Sequence, residues 1–231
     1  MTMLAPPHVT PPAGAPPDLL PPGAALLEGV SWETYERLRE ETDAAGQALH
    51  ITYDRGTMLL MPPLPDHETW KKLTGRMVEM IAIDLRIPMR ALGGATWRRR
   101  DQAGGLEADE CYYVQNERAV RGKRTIDLAS DPPPDLAFES ENTHAALDKL
   151  AVYARLGVPE VWRYDGARLS AVLLEEAGGR REYVPTETSR AFPFLRPADL
   201  EPFLSRVFDV DETSLLLEFR DWVAATLKPK V

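Results

Sequence analysis

The sequence predicts a mixed α/β protein, a sheet with helices packed against it, on three observations. Segments with helical spacing alternate with short strand-like segments. A helix of crossover length separates strands near 135–141 and 160–164, and the C-terminal stretch is helical again. At 231 residues the chain suits one domain with a sizeable core.

Residues 1–27 form a proline-rich leader. Its pairs Pro6-Pro7, Pro11-Pro12, Pro16-Pro17 and Pro21-Pro22 sustain neither helix nor central strand, so a flexible, extended segment is expected. The remainder, 28–231, is expected to be a single domain whose folded part begins near Ser31. There Ser31-Trp32-Glu33-Thr34 can cap a helix running to about Glu41. Strands at 50–53 and 57–61 flank Asp54-Arg55-Gly56, a hairpin turn. Pro62 and Pro63 end the second strand, and a helix follows over 66–85. Its positions Trp70, Leu73, Met77, Ile81 and Leu85 keep helical spacing.

Strands are expected at 96–100, 107–114 and 135–141, with Gly93-Gly94 and Gly104-Gly105 as turns and a polar stretch over 115–132. A helix is predicted over 143–156, stopped by Gly157 and Pro159. Strands at 160–164, 168–175 and 181–185 follow. Helices at 197–205 and 212–227 close the chain, the last with an apolar face of Leu215, Leu216, Phe219, Trp222, Val223 and Leu227.

Composition narrows the function. No apolar run approaches the ~20 residues that span a bilayer, and the N-terminus lacks the pattern of a secretory signal. Cys111 stands alone, which excludes an intrachain disulfide and makes a reducing, cytoplasmic setting the expectation. The formal charge of −9, from 36 acidic and 27 basic residues, argues against a protein that coats nucleic acid by charge. It leaves room for an enzyme that touches nucleic acid locally.

The chemistry concentrates in Pro134-Asp135-Leu136-Ala137-Phe138-Glu139-Ser140-Glu141. At the two-residue period of a strand, Asp135, Ala137, Glu139 and Glu141 share one face and Leu136 and Phe138 the other. Carboxylates in so apolar a strand are costly unless neutralised, and a divalent cation is the usual neutraliser. Asp135 and Glu139 lie roughly 13 Å apart along the strand, too far to share one ion. Glu139 therefore needs a partner on a neighbouring strand, and Asp109 is the best candidate. Lys149, in the helix after the acidic strand, is the candidate to orient a nucleophile or steady transition-state charge. On a helical wheel it falls opposite Leu147, Leu150, Ala151 and Ala154, so a solvent-facing position competes with that reading.

These residues carry a resemblance. Leu106-Glu107-Ala108-Asp109, Pro134 to Glu139, and Lys149 to Trp162 with Tyr153, preceded by Met61-Pro62-Pro63 and His67, resemble the Uma-type restriction endonuclease family of the PD-(D/E)XK nucleases. The likeness covers roughly residues 30–205. It implies a restriction-endonuclease-like core, a central mixed sheet flanked by helices, with Mg²⁺ or Mn²⁺ held by Asp109 and Glu139. Two departures stand out: Ala108 occupies the place of a proline, and Glu141 stands where the superfamily has its strand lysine. The resemblance implies that Lys149 takes that lysine's place.

Asp135, Glu141 and His67 are supporting candidates. For Asp135 a role in shaping the strand entry is favoured, for His67 a capping or structural role, and Glu141 is either a solvated strand end or a second ligand. Trp97-Arg98-Arg99-Arg100 and the cluster Arg118, Arg121, Lys123 and Arg124 are candidates for phosphate contacts or for a solvated surface. Two functions follow: a metal-dependent endonuclease acting on DNA, for which duplex cleavage favours a homodimer, or a catalytically silent binding protein on the same scaffold.

Overall fold

A computed structural model describes residues 20, 23–140 and 147–227. The strands are β1 (Ala25–Leu27), β2 (His50–Asp54), β3 (Thr57–Met61), β4 (Arg90–Ala91), β5 (Thr96–Arg99), β6 (Gly104–Glu107), β7 (Glu110–Tyr113), β8 (Leu136–Ser140), β9 (Glu160–Tyr164), β10 (Leu169–Ala177) and β11 (Arg180–Thr186). The helices are α1 (Trp32–Ala44), α2 (Pro65–Asp84), α3 (Glu117–Val120), α4 (Lys149–Leu156), α5 (Glu201–Leu204) and α6 (Glu212–Thr226). The fold is the expected mixed α/β, but its strands form two sheets instead of one. Their orders are β1-β3-β2-β6-β5 and β11-β10-β9-β8-β7-β4.

The expected single strand at 107–114 is where the sheets separate. β6 pairs with β2 and β5, whereas β7 pairs with β4 and β8. Only Ala108 and Asp109 join them, so Asp109 occupies the junction. In the second sheet β8 and β9 run parallel, linked through α4, and the other described pairs are antiparallel.

Both faces of the second sheet are covered. Leu136 and Phe138 of β8 join Trp70, Leu73, Met77 and Ile81 of α2 and Leu215, Phe219 and Val223 of α6 in one core. Ala137 points the other way, into a cluster with Val152, Tyr153 and Leu156 of α4. The predicted alternation along β8 is therefore the one observed, and it turns Glu139 toward α4. A smaller cluster of Tyr35, Ile51, Tyr53 and Met58 holds α1 on the first sheet.

Several local expectations hold. Ser31 caps α1 by accepting from Thr34 N at 3.1 Å. Arg55 and Gly56 take positive φ in the β2–β3 turn, and Gly157 ends α4 at φ 82°. Four corrections stand beside them. Gly104 and Gly105 lie inside β6, and the turn before it is made by residues 100–103 with Ala103 left-handed at φ 45°. Gly105 is needed because Tyr35 packs against its backbone.

The fold includes residues before Ser31, because Ala25–Leu27 pairs along β3 as an edge strand. The rest of the proline-rich leader, apart from residues 20 and 23–24, lies outside the described residues. α4 starts at Lys149, where the Asp148 side chain accepts from Leu150 N at 3.0 Å and caps it, not at 143. Residues 143–146 of the expected helix lie outside the described residues. The C-terminal segment at 197–205 opens as a 3₁₀ turn over Pro197–Leu200 before α5. No described helix is long and apolar enough to cross a membrane.

Candidate active site

β7 and β8 pair in the register Tyr112–Leu136, Cys111–Ala137, Glu110–Phe138. One more step sets Asp109 opposite Glu139, so two carboxylates far apart in sequence project from adjacent strand ends on one side of the sheet. Asp109 is anchored there. Its Oδ2 accepts from Ser140 N at 2.7 Å and from Ser140 Oγ at 2.8 Å. Ser140 also lies 3.3 Å from the carbonyl of His67, in the first turn of α2. The sheet junction, β8 and the start of α2 thus meet at one point.

Glu139 is 1% exposed, and it is the buried centre of the group. Lys149 Nζ donates to its Oε2 at 2.6 Å, and the Tyr153 hydroxyl donates to its Oε1. Lys149 is itself 8% exposed, so the solvent-facing reading of the helical wheel does not hold. The physical reason is which face of α4 is buried: Lys149 shares the stripe of Val152, Tyr153 and Leu156, whereas Leu150 and Ala151 are only partly buried. Tyr153 follows one turn later on the same helix face. Burial, the Glu139 charge and the more distant Asp109 all hold the Tyr153 hydroxyl pKa well above its ordinary value, so it remains a donor.

A second ring of charge borders this centre. His50 Nδ1 lies 3.4 Å from Glu107 Oε2 and its Nε2 lies 3.9 Å from Glu68 Oε1. Lys71 Nζ approaches the same Glu68 oxygen at 3.4 Å. Glu110, on the opposite face of the strand from Asp109, is pushed up to about 7 by burial, with Lys71 and Lys72 opposing the shift.

A family model described as "Uma2: Putative restriction endonuclease" matches residues 32–211. The chain belongs to the Uma2 family. No curated protein matches it. Among solved structures, one described as a "putative nuclease belonging to DUF820" from Anabaena variabilis aligns over 73% of this chain and 90% of its own, at 10% identity and TM-score 0.41. The description of its family places this Uma2 member among candidate nucleases.

Of the residues singled out in the sequence, Asp109, Glu139 and Lys149 come together. Asp135 does not join them. Its carboxylate accepts from Val114 N at 2.7 Å, Asn116 N at 2.9 Å and Asn116 Nδ2 at 2.7 Å, and so fastens the chain leaving β7. Asp135→Ala is expected to cost about 2–4 kcal/mol by stranding part-buried N–H groups, and to leave any Mn²⁺ binding unchanged. A urea midpoint and a Mn²⁺ titration on the same variant check both halves. His67 lies beside the site through its backbone carbonyl, while its ring stacks near Trp70 at a centroid distance of 6.1 Å. Glu141 lies outside the described residues.

The basic runs carry their own counter-charges. Arg98 pairs with Glu36, Arg99 with Asp101, Arg100 with Glu33, Arg121 with Glu117 and Lys123 with Asp131. The solvated-surface reading fits these contacts better than a phosphate-binding patch. Sequence reasoning missed Ser140, His50, Glu68 and Lys71 as neighbours of the site. Ser140 had one signal, its place next to Glu139. The others had none, because only strand pairing and α2 packing bring them near.

The donor set fits a hard divalent cation. Asp109 and Glu139 could supply two oxygen ligands whose summed charge exceeds that of Lys149, and Asp109 is partly open to solvent. Among the described residues no group of three or more His, Cys, Asp or Glu side chains could hold a metal. Mg²⁺ is commonly bound through one or two carboxylates with water and phosphate oxygens completing the shell, whereas a closed zinc site needs four protein ligands.

Proposed function

We propose that this Uma2 protein is a Mg²⁺- or Mn²⁺-dependent endonuclease that hydrolyses DNA phosphodiester bonds. The observation that carries the reading is the Lys149 ammonium, held 2.6 Å from Glu139 on the strand beside Asp109. A buried lysine–carboxylate pair is weak support for stability, and this one lies where a second carboxylate projects from the neighbouring strand.

Asp109 and Glu139 would hold the ion, which when bound neutralises charge at phosphorus and lowers the pKa of a coordinated water. The chain's own residues do the positioning. Ser140 fixes the Asp109 carboxylate through one of its oxygens and leaves the other for a ligand. Tyr153 and Lys149 fix Glu139 from two sides. Lys149 has three N–H donors. From its place beside Glu139 the Lys149 side chain orients the attacking water and steadies the charge that grows on the phosphate oxygens. β8 keeps these groups on a rigid element, which limits the motion that would blur in-line attack.

Mn²⁺ titration calorimetry tests the reading. The wild type is expected to bind and to cleave DNA, and Asp109→Ala is expected to lose both while still folding, its stability lowered by about 1–3 kcal/mol for the stranded Ser140 N–H. Absence of Mn²⁺ binding by folded wild type, with DNA present, would overturn the enzyme in favour of the silent scaffold.

A further inference from the structure

The imidazole of His50 is placed by three elements. His50 opens β2, and the alternate residues His50, Thr52 and Asp54 share one strand face. At the far end of that face Asp54 pairs with Arg155 near the end of α4. Lys149 starts the same helix about 9 Å back along its axis, and its charge is felt at the His50 imidazole, as is that of Asp109. Glu107 belongs to β6, next to β2 in the sheet, and stands two residues before Asp109, about 7 Å along the strand.

The two ring nitrogens have different neighbours. Nδ1 is 3.4 Å from the Glu107 carboxylate, whereas the 3.9 Å from Nε2 to Glu68 exceeds hydrogen-bond length. A carboxylate behind one nitrogen, with no acceptor among the described residues within hydrogen-bond length of the other, is how a histidine is set to pass a proton forward.

We infer that His50 is a further catalytic residue: oriented by Glu107, its Nε2–H gives the leaving oxygen its proton as the phosphodiester breaks. The inference rests on the nuclease reading above. Water oxygen bonds to phosphorus and sheds a proton to solvent. The bond from phosphorus to the leaving oxygen breaks, its electron pair takes the Nε2 proton, and neutral His50 is reprotonated from water. Glu107, together with the more distant Asp109, raises the imidazole pKa above its ordinary value, with burial and Lys149 opposing, so the acid form is favoured. Glu68, itself bound to Lys71, is the remaining charged neighbour on the α2 side. General acids of this kind contribute about 10²–10⁴-fold.

A one-atom change in the substrate separates a proton donor from a structural residue. A thiolate leaves without protonation because a thiol is far more acidic than an alcohol, so DNA with sulfur at the leaving position needs no acid. Cleavage by wild type and His50→Gln is compared in Mn²⁺ on ordinary DNA and on DNA carrying a 3′- or a 5′-bridging sulfur. The expected result is a loss of at least about 10²-fold on ordinary DNA, with near wild-type rates on the sulfur substrate whose bond is the one cut. An equal loss on both substrates, or no loss on either, overturns the role of His50 and leaves the nuclease standing. Wild type that cleaves neither DNA overturns the nuclease reading, and the inference with it.

Discussion

Glu139→Ala is expected to abolish cleavage and to destabilise the fold by about 3–5 kcal/mol, the range for removing one partner of a buried ion pair. The size follows from burial. Lys149 and Tyr153 both direct their polar ends at this carboxylate, and all three residues are almost fully enclosed. Removing it withdraws the acceptor they share, in a setting where water reaches them poorly. The double variant Glu139→Gln/Lys149→Met is expected to recover more than half of the lost stability and none of the activity. Urea unfolding and a DNA cleavage assay on the three proteins separate the two effects. An unchanged midpoint for Glu139→Ala would contradict the enclosed pair.

The second large effect lies away from the chemistry. Gly105→Val is expected to cost about 3 kcal/mol, at the upper end for overpacking. A Cβ on Gly105 would collide with the Tyr35 ring, approaching Cζ to 2.8 Å and Cε1 to 3.1 Å. Tyr35 cannot yield easily. It is 0% exposed, stacked on Tyr53 at a centroid distance of 5.0 Å and braced by Trp32. Its hydroxyl has no hydrogen-bond partner among the described residues. Tyr35→Phe is therefore expected to be neutral or stabilising alone and to rescue part of the Gly105→Val loss. Thermal midpoints of the two single variants and the double variant decide this. A Gly105→Val protein as stable as wild type would mean that α1 does not sit against β6 as described. Since β6 leads directly into Asp109, the variant is also expected to weaken metal binding.

Much of this was legible in the sequence because it depends on short-range physics. Strand alternation at Leu136, Ala137, Phe138 and Glu139 specifies which side chains are buried together, whatever the strand pairs with. The Ser31 cap, the Asp54-Arg55-Gly56 turn and the Gly157 stop are decided by backbone geometry within a few residues. The apolar spacing of α2 and α6 similarly predicts which face of each helix is buried.

Lys149 shows where such reasoning stops. The wheel turns it toward solvent because it sets Leu150 and Ala151 on the buried face. Packing against β8 buries the stripe of Lys149, Val152, Tyr153 and Leu156 instead and sets the lysine on Glu139. Gly104-Gly105 shows the same limit, since a glycine pair reads as a turn unless a tyrosine some seventy positions earlier is known to pack on it.

The sequence by itself determined most of the elements, the buried faces of β8, α2 and α6, and the three residues Asp109, Glu139 and Lys149 as candidates. It did so because periodicity, caps and the cost of buried carboxylates act locally. Only the tertiary structure decided that the strands split into two sheets at Ala108-Asp109. It also decided that Asp109 stands opposite Glu139 and that His50, Glu107, Glu68 and Lys71 border them. Those placements depend on strand register and helix packing between distant segments, which no local pattern encodes.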